Sequence, residues 1–493
     1  MSRAARIMRD SVAVGVRQLL VLGLTIVQNL YAARYLGPQG FGTYALVTIL
    51  TLAAAIVTPG FLSAAARELP HYRSLGELER ERKIVRHMVL GEMGVALLWT
   101  LAILIFAAVQ DERALRMLLL IAAVSVIPAK LANIYQVLAS CDKAFGFQAR
   151  VEVIRTGLMA LIVIGGVEHL GLPLLLGAPV VASVLAAILY GRRYALPWNW
   201  RGVQGAELLR LGRIGLPMAG LNVVSGNAGA QRWIERLLIQ QRLGTESVGL
   251  YSFAAWVALQ LLSMLGSVAQ AIQPHLYDIL AKDMSGEQAR QSLARPVWLM
   301  IMVSALFLGT ASCALPLFIV ALVPAYIPAL PASQVLLLGS FLSAAYWIPA
   351  MVLYSVRVNG QIYYFLTWTA AVLVSALVAG LALFNDGGLL WVAWGFVASQ
   401  ILVLALTFRR VAPWIFPKAG ELAEFLRSLT LPLANVALAV GVVTLLFLSW
   451  TPVSRWMLLC LALVKAVVFL LLCLPAVLVT VRRTGLVAIL RGR

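Results

Sequence analysis

The sequence predicts an all-α protein that crosses a membrane fourteen times. Three observations lead to this fold class. The 493 residues are 62% hydrophobic and 12% charged, whereas soluble domains are close to half apolar and a quarter charged. The apolar residues fall into blocks of about 20 residues, the length that a membrane-spanning helix needs. Lys and Arg are concentrated in alternate connecting segments, a distribution that indicates orientation in a membrane.

Each apolar block is predicted to be a helix, because a backbone in lipid must satisfy its hydrogen bonds within its own segment. The sequence shows no alternation of the kind found in membrane β-barrels. This composition excludes a soluble enzyme, a secreted disulfide scaffold and a disordered protein. In chain order the predicted helices are 11–36, 41–66, 87–109, 117–140, 151–169, 171–190, 214–240, 246–273, 297–322, 332–357, 361–384, 388–408, 428–449 and 456–481.

The net charge of +19 comes from 39 basic and 20 acidic residues. In a soluble protein such an excess would suggest nucleic acid. Here most basic residues lie in segments that fourteen crossings from a cytoplasmic N-terminus would leave in the cytoplasm. The outer loops hold Arg113, Arg116, Arg242 and Arg455. Because Lys and Arg favour the cytoplasmic side, both termini are expected there. The expected partner of these charges is the lipid bilayer, and no nucleic acid is expected.

A short motif occurs twice, at an offset of 207 residues. Residues 36–44 and 243–251 both follow L-G-x-x-x-Φ-G-x-Y, where Φ is hydrophobic. Both copies lie in an outer loop after an odd-numbered helix, which predicts two halves of the same orientation. The chain is therefore expected to form two six-helix lobes, related by a parallel pseudo-two-fold repeat. The glycines of the motif predict a tight turn rather than a substrate site.

The predicted lobes divide the chain into three parts. Residues 1–195 would form the first lobe, with helices one to six, and residues 196–412 the second, with helices seven to twelve. Residues 413–493 would hold two extra helices and a basic cytoplasmic tail.

Residues 34–45, which contain the first motif, resemble the first-hairpin signature of polysaccharide-transport flippases. These transporters belong to the multidrug/oligosaccharidyl-lipid/polysaccharide exporter superfamily. Residues 249–252 resemble the counterpart in the second lobe, and the helix count, the two-lobe layout and the basic segment 67–86 also match. The resemblance implies a V-shaped bacterial inner-membrane protein. It would move an undecaprenyl-diphosphate-linked oligosaccharide by alternating access, for O-antigen, capsule or exopolysaccharide synthesis. A polysaccharide polymerase and a chain-length regulator are the implied protein partners.

The seventh predicted helix carries the main candidates for substrate binding. Asn222, Ser225, Arg232 and Arg236 are spaced so that they share one face of a continuous helix. Arginine suits a diphosphate because its planar donors match phosphate oxygens. Glu235 is within reach of Arg232, so the charges form either a cationic substrate surface or a pair that locks the helix. Glu235 is also the candidate for ion coupling, with proton or sodium as the ion and no bound cofactor expected.

Further candidates come from the repeat and from charges at membrane depth. At the repeat offset, Gln28 and Asn29 of the first helix match Glu235 and Arg236, so the first helix is expected to line the same path. Ionisable groups inside a membrane usually face a cavity or a partner. The cationic candidates of this kind are Arg34, Lys130 and Lys465. Arg34 could instead be an interfacial side chain, and each lysine could instead be a buried neutral amine.

Three other functions compete with an oligosaccharide flippase. A lipid II flippase ranks second, since it shares the fold and the fourteen helices. A drug/cation antiporter of the same superfamily would have twelve helices and would need carboxylates that the first helix lacks beyond Asp10. A polymerase or ligase ranks last, because the outer loops are too short for it. The sequence contains no nucleophile triad or metal-ligand spacing, so a transporter rather than an enzyme is expected.

Overall fold

The computed structural model describes residues 3–199, 202–225, 229–281, 287–356, 358–416, 420–447 and 454–484. Within these ranges every regular element is a helix. Besides a 3-10 turn at Pro324–Ala329, the helices are α1 (Arg3–Ile56), α2 (Phe61–Ser74), α3 (Leu78–Ala108), α4 (Arg113–Cys141), α5 (Phe145–Gly191), α6 (Gly205–Ser225), α7 (Ala230–Ala281), α8 (Glu287–Leu322), α9 (Leu330–Ala345), α10 (Trp347–Val356), α11 (Val358–Phe384), α12 (Leu389–Ile415), α13 (Glu421–Leu446), α14 (Arg455–Leu472) and α15 (Leu474–Thr484).

Eleven of the described helical segments are long and apolar enough to cross a membrane. The predicted all-helical, multi-pass membrane protein is therefore confirmed. Three of these segments are 57, 47 and 62 residues long, and even the shortest, if straight, would extend about 70 Å, more than twice the bilayer core of about 30 Å. Each contains a glycine with left-handed φ, namely Gly37, Gly171 and Gly244. Fourteen crossings require the chain to turn at these glycines, and that count stays a prediction.

The chain divides into two compact units, Met1–Gly249 and Leu250–Arg493. The core of the first unit lies where α2 to α6 pack together. Its buried side chains include Leu69, Met88, Ile134, Tyr190 and Leu211. The lobe boundaries inferred from the repeat remain a prediction.

In the second unit, aromatic rings pack onto glycines where helices approach closely. A Cβ atom on Gly309 of α8 would lie 2.6 Å from the ring of Phe469 on α14. A Cβ on Gly339 of α9 would lie 2.5 Å from the ring of Phe396 on α12. Any larger residue at these two glycines would push the helix pairs apart, because interiors are close-packed.

One predicted helix is interrupted in the structure, and a second runs through residues 226–228, which lie outside the described part of the chain. The predicted helix 41–66 ends at Ile56, and a new helix begins at Phe61. Between them Pro59 lacks an N–H group and Gly60 has a φ of 86°. The predicted helix 214–240 is described as α6, which ends at Ser225, and α7, which begins at Ala230.

Candidate functional site

The first turns of α7 hold a charged cluster inside the first unit. Glu235 is fully buried, and its Oε2 accepts a hydrogen bond from Arg232 Nη1 at 3.1 Å. Its Oε1 accepts from the Gln231 amide at 3.1 Å. The Arg232 side chain is 11% exposed. The predicted contact between Arg232 and Glu235 is thus present, and it forms because residues three apart are neighbours on a helix.

Arg236 lies one turn beyond Arg232 on α7. Its Nη1 donates to the carbonyl oxygen of Ala45 on α1, at 3.4 Å. This contact places the guanidinium beside the backbone that follows the first glycine motif. Two guanidinium groups and one carboxylate give residues 231–236 a formal charge of +1.

The structure does not show Asn222 and Ser225 on one helix with Arg232. They belong to α6, Arg232 belongs to α7, and residues 226–228 between them lie outside the described part of the chain. Asn222 is exposed, and the Ser225 hydroxyl donates to its own helix at Leu221 O. The predicted single polar face requires a continuous helix through residues 226–228, so it stays a prediction.

The first-helix candidates differ in burial. Gln28 is buried, and its Oε1 has no hydrogen-bond partner among the described residues. Asn29 is half-buried, and its amide donates to Thr25 O of the same helix at 2.9 Å. Gln28 therefore carries a buried acceptor at the position that the repeat equates with Glu235.

Two cationic candidates occupy different settings. Arg34 is exposed on α1. Lys465, on α14 in the second unit, is 9% exposed, and its Nζ lies 5.6 Å from the ring centre of Phe447. An ammonium group over a ring face is stabilised by a cation–π interaction. No carboxylate lies within salt-bridge distance of Lys465 in the described part of the chain.

Lys130 does not lie on a substrate surface in this conformation. Its ammonium group is 2.8 Å from Glu92 Oε2, and the two side chains are 1% and 0% exposed. The expectation that Lys130 binds substrate is corrected, because the structure assigns it to a buried ion pair. Sequence analysis missed the pair because the partners are 38 residues apart on separate helices.

This ion pair supplies hydrogen-bond partners to backbone groups on both sides of the break between α1 and α2. Glu92 Oε1 accepts the N–H of Leu62, in the first turn of α2, at 3.2 Å. Lys130 Nζ also donates to the carbonyl oxygen of Ala55, in the last turn of α1, at 3.2 Å. An acid at a helix N-terminus and a base at a C-terminus both complement the helix dipole. The backbone groups left open by the break therefore find hydrogen-bond partners within the protein, which a break inside a membrane requires because no water is available there.

The two copies of the glycine motif adopt the same backbone shape and contact each other. Gly37 has φ 63° and ψ 179°, and Gly244 has φ 80° and ψ 178°. A Cβ on Gly42 would lie 2.0 Å from Thr245 O, and a Cβ on Gly249 would lie 1.7 Å from Pro38 O. The contact is reciprocal at the offset of 207 residues, which supports a structural role for the motif.

One protein family matches this chain by sequence. The sequence profile described as "Polysaccharide biosynthesis protein" matches residues 7–280. This range includes both glycine motifs and the charged cluster of α7. Among curated protein sequences, none matches the chain.

Solved structures with a similar fold include a lipid II flippase and two transporters of the MOP superfamily. The lipid II flippase MurJ in an inward-closed conformation has a TM-score of 0.72 at 13% identity, covering 96% of this chain and 99% of that one. An inward-facing multidrug resistance MATE family transporter of the MOP superfamily has a TM-score of 0.62 at 12% identity, covering 81% and 98%. A MOP superfamily transporter from Pyrococcus furiosus has a TM-score of 0.54 at 15% identity, covering 82% and 95%.

Proposed function

Because this chain belongs to the polysaccharide biosynthesis protein family, we propose that it is a flippase for a polyprenyl-diphosphate-linked oligosaccharide. The family resemblance predicted from residues 34–45 is confirmed by the profile match. We propose that it acts as a secondary transporter rather than as an enzyme. It would lie in the bacterial inner membrane with both termini in the cytoplasm. O-antigen, capsule and exopolysaccharide are the candidate products, with a polymerase and a chain-length regulator as protein partners.

The observation that carries the proposal is the cationic cluster on α7 within the matched family region. Glu235 is buried beside Arg232, and residues 231–236 carry two arginines and one glutamate, a formal charge of +1. A diphosphate offers oxygens that guanidinium donors bind in pairs. Arg232 and Arg236 are proposed to bind this headgroup, and Asn29 and Gln28 to contact the same substrate from the first helix. Arg34, Asn222, Ser225 and Lys465 are kept as secondary candidates.

The test is flipping of a polyprenyl-diphosphate-linked oligosaccharide in proteoliposomes, measured as its accessibility to an added enzyme. Arg232→Ala and Arg236→Ala are expected to reduce the rate by about tenfold or more, because a hydrogen bond to a charged group contributes roughly 1.5–3 kcal/mol. Arg155→Ala is the matched control, since it removes a Glu152–Arg155 pair of the same i,i+3 spacing on α5. Wild-type rates in both α7 variants would leave the cluster with a structural role only.

Glu235 is proposed to couple transport to an ion gradient. Its carboxylate contacts Arg232, so arrival of an anionic headgroup at the guanidinium would change the carboxylate's surroundings. Flipping by Glu235→Gln should lose its dependence on an imposed proton or sodium gradient while retaining a basal rate. Gradient dependence equal to that of the wild type would remove Glu235 from coupling.

A lipid II flippase is the second candidate, since MurJ shares the fold over nearly the whole chain. Both substrates carry a diphosphate, so α7 does not distinguish them. Parallel assays with lipid II and with an oligosaccharide lacking the peptide would separate the two functions. Preference for lipid II would contradict the proposed substrate. A drug/cation antiporter is disfavoured because the α7 cluster has a net positive charge, which repels cationic drugs.

A further inference from the structure

Helix α6 is held against α2 by a backbone contact between two glycines in the first unit. A Cβ on Gly215 would lie 1.9 Å from Gly60 O, and a Cβ on Gly60 would lie 2.4 Å from Gly215 O. No side chain separates the two backbones at this point. Gly60 is the last residue of the break between α1 and α2 and has a φ of 86°, so α6 docks directly onto the broken helix.

A bidentate ion pair reinforces this contact further along α6. Arg210 Nη1 and Nη2 donate to the two carboxylate oxygens of Glu68 on α2, both at 2.7 Å. Arg210 also contacts Glu207 on its own helix at 2.8 Å. The side chains of Arg210 and Glu68 are 39% and 15% exposed, so water reaches the pair and competes with it.

The segment before α6 is fixed to α3. The N–H of Gln204 donates to Nε2 of the buried His87 at 3.0 Å. The Gln204 side-chain oxygen accepts from Lys83 Nζ at 2.9 Å. Three separate contacts therefore join residues 204–215 to the helices α2 and α3.

These contacts are of a kind that would allow α6 to separate from α2 and α3. They consist of glycine backbones, an ion pair and hydrogen bonds, and they lie beside the apolar packing of Leu211 in the core that α6 shares with α2. Parting the polar contacts exposes groups that water satisfies, at a small cost compared with opening the apolar core around Leu211. The repeat places α6 at the start of the second predicted lobe, 196–412, whereas the structure packs it within the unit Met1–Gly249.

We propose that Glu68 and Arg210 form a latch between α2 and α6 that closes the cytoplasmic side of the transport path and opens in each cycle. The proposal rests on the proposed function and on the predicted orientation, in which the basic segments 67–86 and 191–213 are cytoplasmic. Rigid-body separation of packed elements around a fixed site is a recurring form of alternating access. The Gly60–Gly215 contact would set how tightly the latch closes.

The test locks the latch with a reducible cross-link in the full-length chain. The four native cysteines are replaced by Ala, and Glu68→Cys/Arg210→Cys is bridged with a bifunctional thiol reagent. Bridging is expected to abolish flipping of the polyprenyl-diphosphate-linked oligosaccharide, and reduction to restore it. The matched control is bridged Glu152→Cys/Arg155→Cys, which spans a pair within α5 alone and is expected to leave flipping unchanged.

A second measurement follows opening of the latch by cysteine labelling, without any transport assay. Gly212→Cys on α6 faces the break, and its Cβ has room, with the nearest atoms of Phe61 and Pro59 at 3.9 and 4.0 Å. Labelling of this cysteine by a charged thiol reagent, added from the cytoplasmic side, should be slow. Adding Arg210→Ala should speed labelling by about threefold or more, the change expected when a half-exposed ion pair is lost.

The outcomes separate the latch from the proposed substrate. Full flipping by the bridged Glu68→Cys/Arg210→Cys variant, or unchanged labelling of Gly212→Cys after Arg210→Ala, would overturn the latch. Faster labelling in a protein that flips no oligosaccharide would support the latch and contradict the proposed function. If the bridged variant does not fold, the labelling experiment alone decides.

Discussion

The buried pair between Glu92 and Lys130 leads to the sharpest prediction about stability. Lys130→Met removes the ammonium group but keeps most of the side-chain volume. The Glu92 carboxylate, 0% exposed, then retains the Leu62 N–H but loses its counter-ion. The carbonyl of Ala55 also loses its donor. The variant is therefore expected to be strongly destabilised around the break between α1 and α2.

The magnitude follows from the burial of both partners. Removing one partner of a buried ion pair costs about 3–5 kcal/mol, because an uncompensated charge remains. Replacing both partners with neutral groups costs far less. In Glu92→Gln/Lys130→Gln the amide oxygen of residue 92 still accepts from Leu62, and the expected loss is about 1–3 kcal/mol. The double variant should thus be more stable than Lys130→Met.

The measurement is thermal unfolding in detergent, followed by near-ultraviolet circular dichroism or by the fraction that stays monodisperse after heating. Arg80→Met is the matched control, since the Arg80–Glu77 side chains are 64% and 42% exposed. An exposed pair contributes at most about 1 kcal/mol, so this control should unfold close to the wild-type temperature.

Two results would refute this reasoning. One is a Lys130→Met variant as stable as the Arg80→Met control. The other is a Glu92→Gln/Lys130→Gln variant whose loss equals the sum of the losses of Glu92→Gln and Lys130→Gln measured alone, since the two charges would then not depend on each other.

Three further predictions concern stability at single positions. Gly249→Ala should unfold at a lower temperature than Gly94→Ala, because its Cβ would meet Pro38 O at 1.7 Å while Gly94 has nothing within 4 Å; equal unfolding temperatures would argue against the glycine contact. Gly37→Ala should cost about 1–3 kcal/mol, because its backbone (φ 63°, ψ 179°) lies in a region that is essentially restricted to glycine; it is measured in the same assay, and no loss would mean that the turn can relax. Lys465→Met should leave thermal stability unchanged or raise it, because a charge at membrane depth costs free energy, while it lowers the flipping rate; a stability loss would instead show that Lys465 is structural.

The membrane fold was predictable because hydropathy is a local property of the chain. Each apolar block is long enough to cross a bilayer whatever its neighbours are, and eleven such segments are described. The left-handed glycines at 37 and 244 also follow from the motif, since few other residues adopt that backbone. The break at Pro59 and Gly60 had a local signal as well, a Pro-Gly pair inside an apolar block.

The candidate site was less predictable because its chemistry depends on which helices pack together. The Arg232–Glu235 contact is local to one helix and was predicted. The polar face that joins Asn222 to Arg232 needs a continuous helix through residues 226–228, which lie outside the described part of the chain, so it stays a prediction.

By itself, the sequence determined that this chain is a helical membrane protein of the polysaccharide biosynthesis family, with a glycine turn in each of two motif copies. The tertiary structure alone decided that Lys130 pairs with Glu92 beside the break between α1 and α2, and that Arg210 of α6 reaches Glu68 of α2. The physical reason is that a charge in a low-dielectric interior is stabilised by its nearest counter-charge. That counter-charge lies on another helix, and only the packing of the helices determines which one.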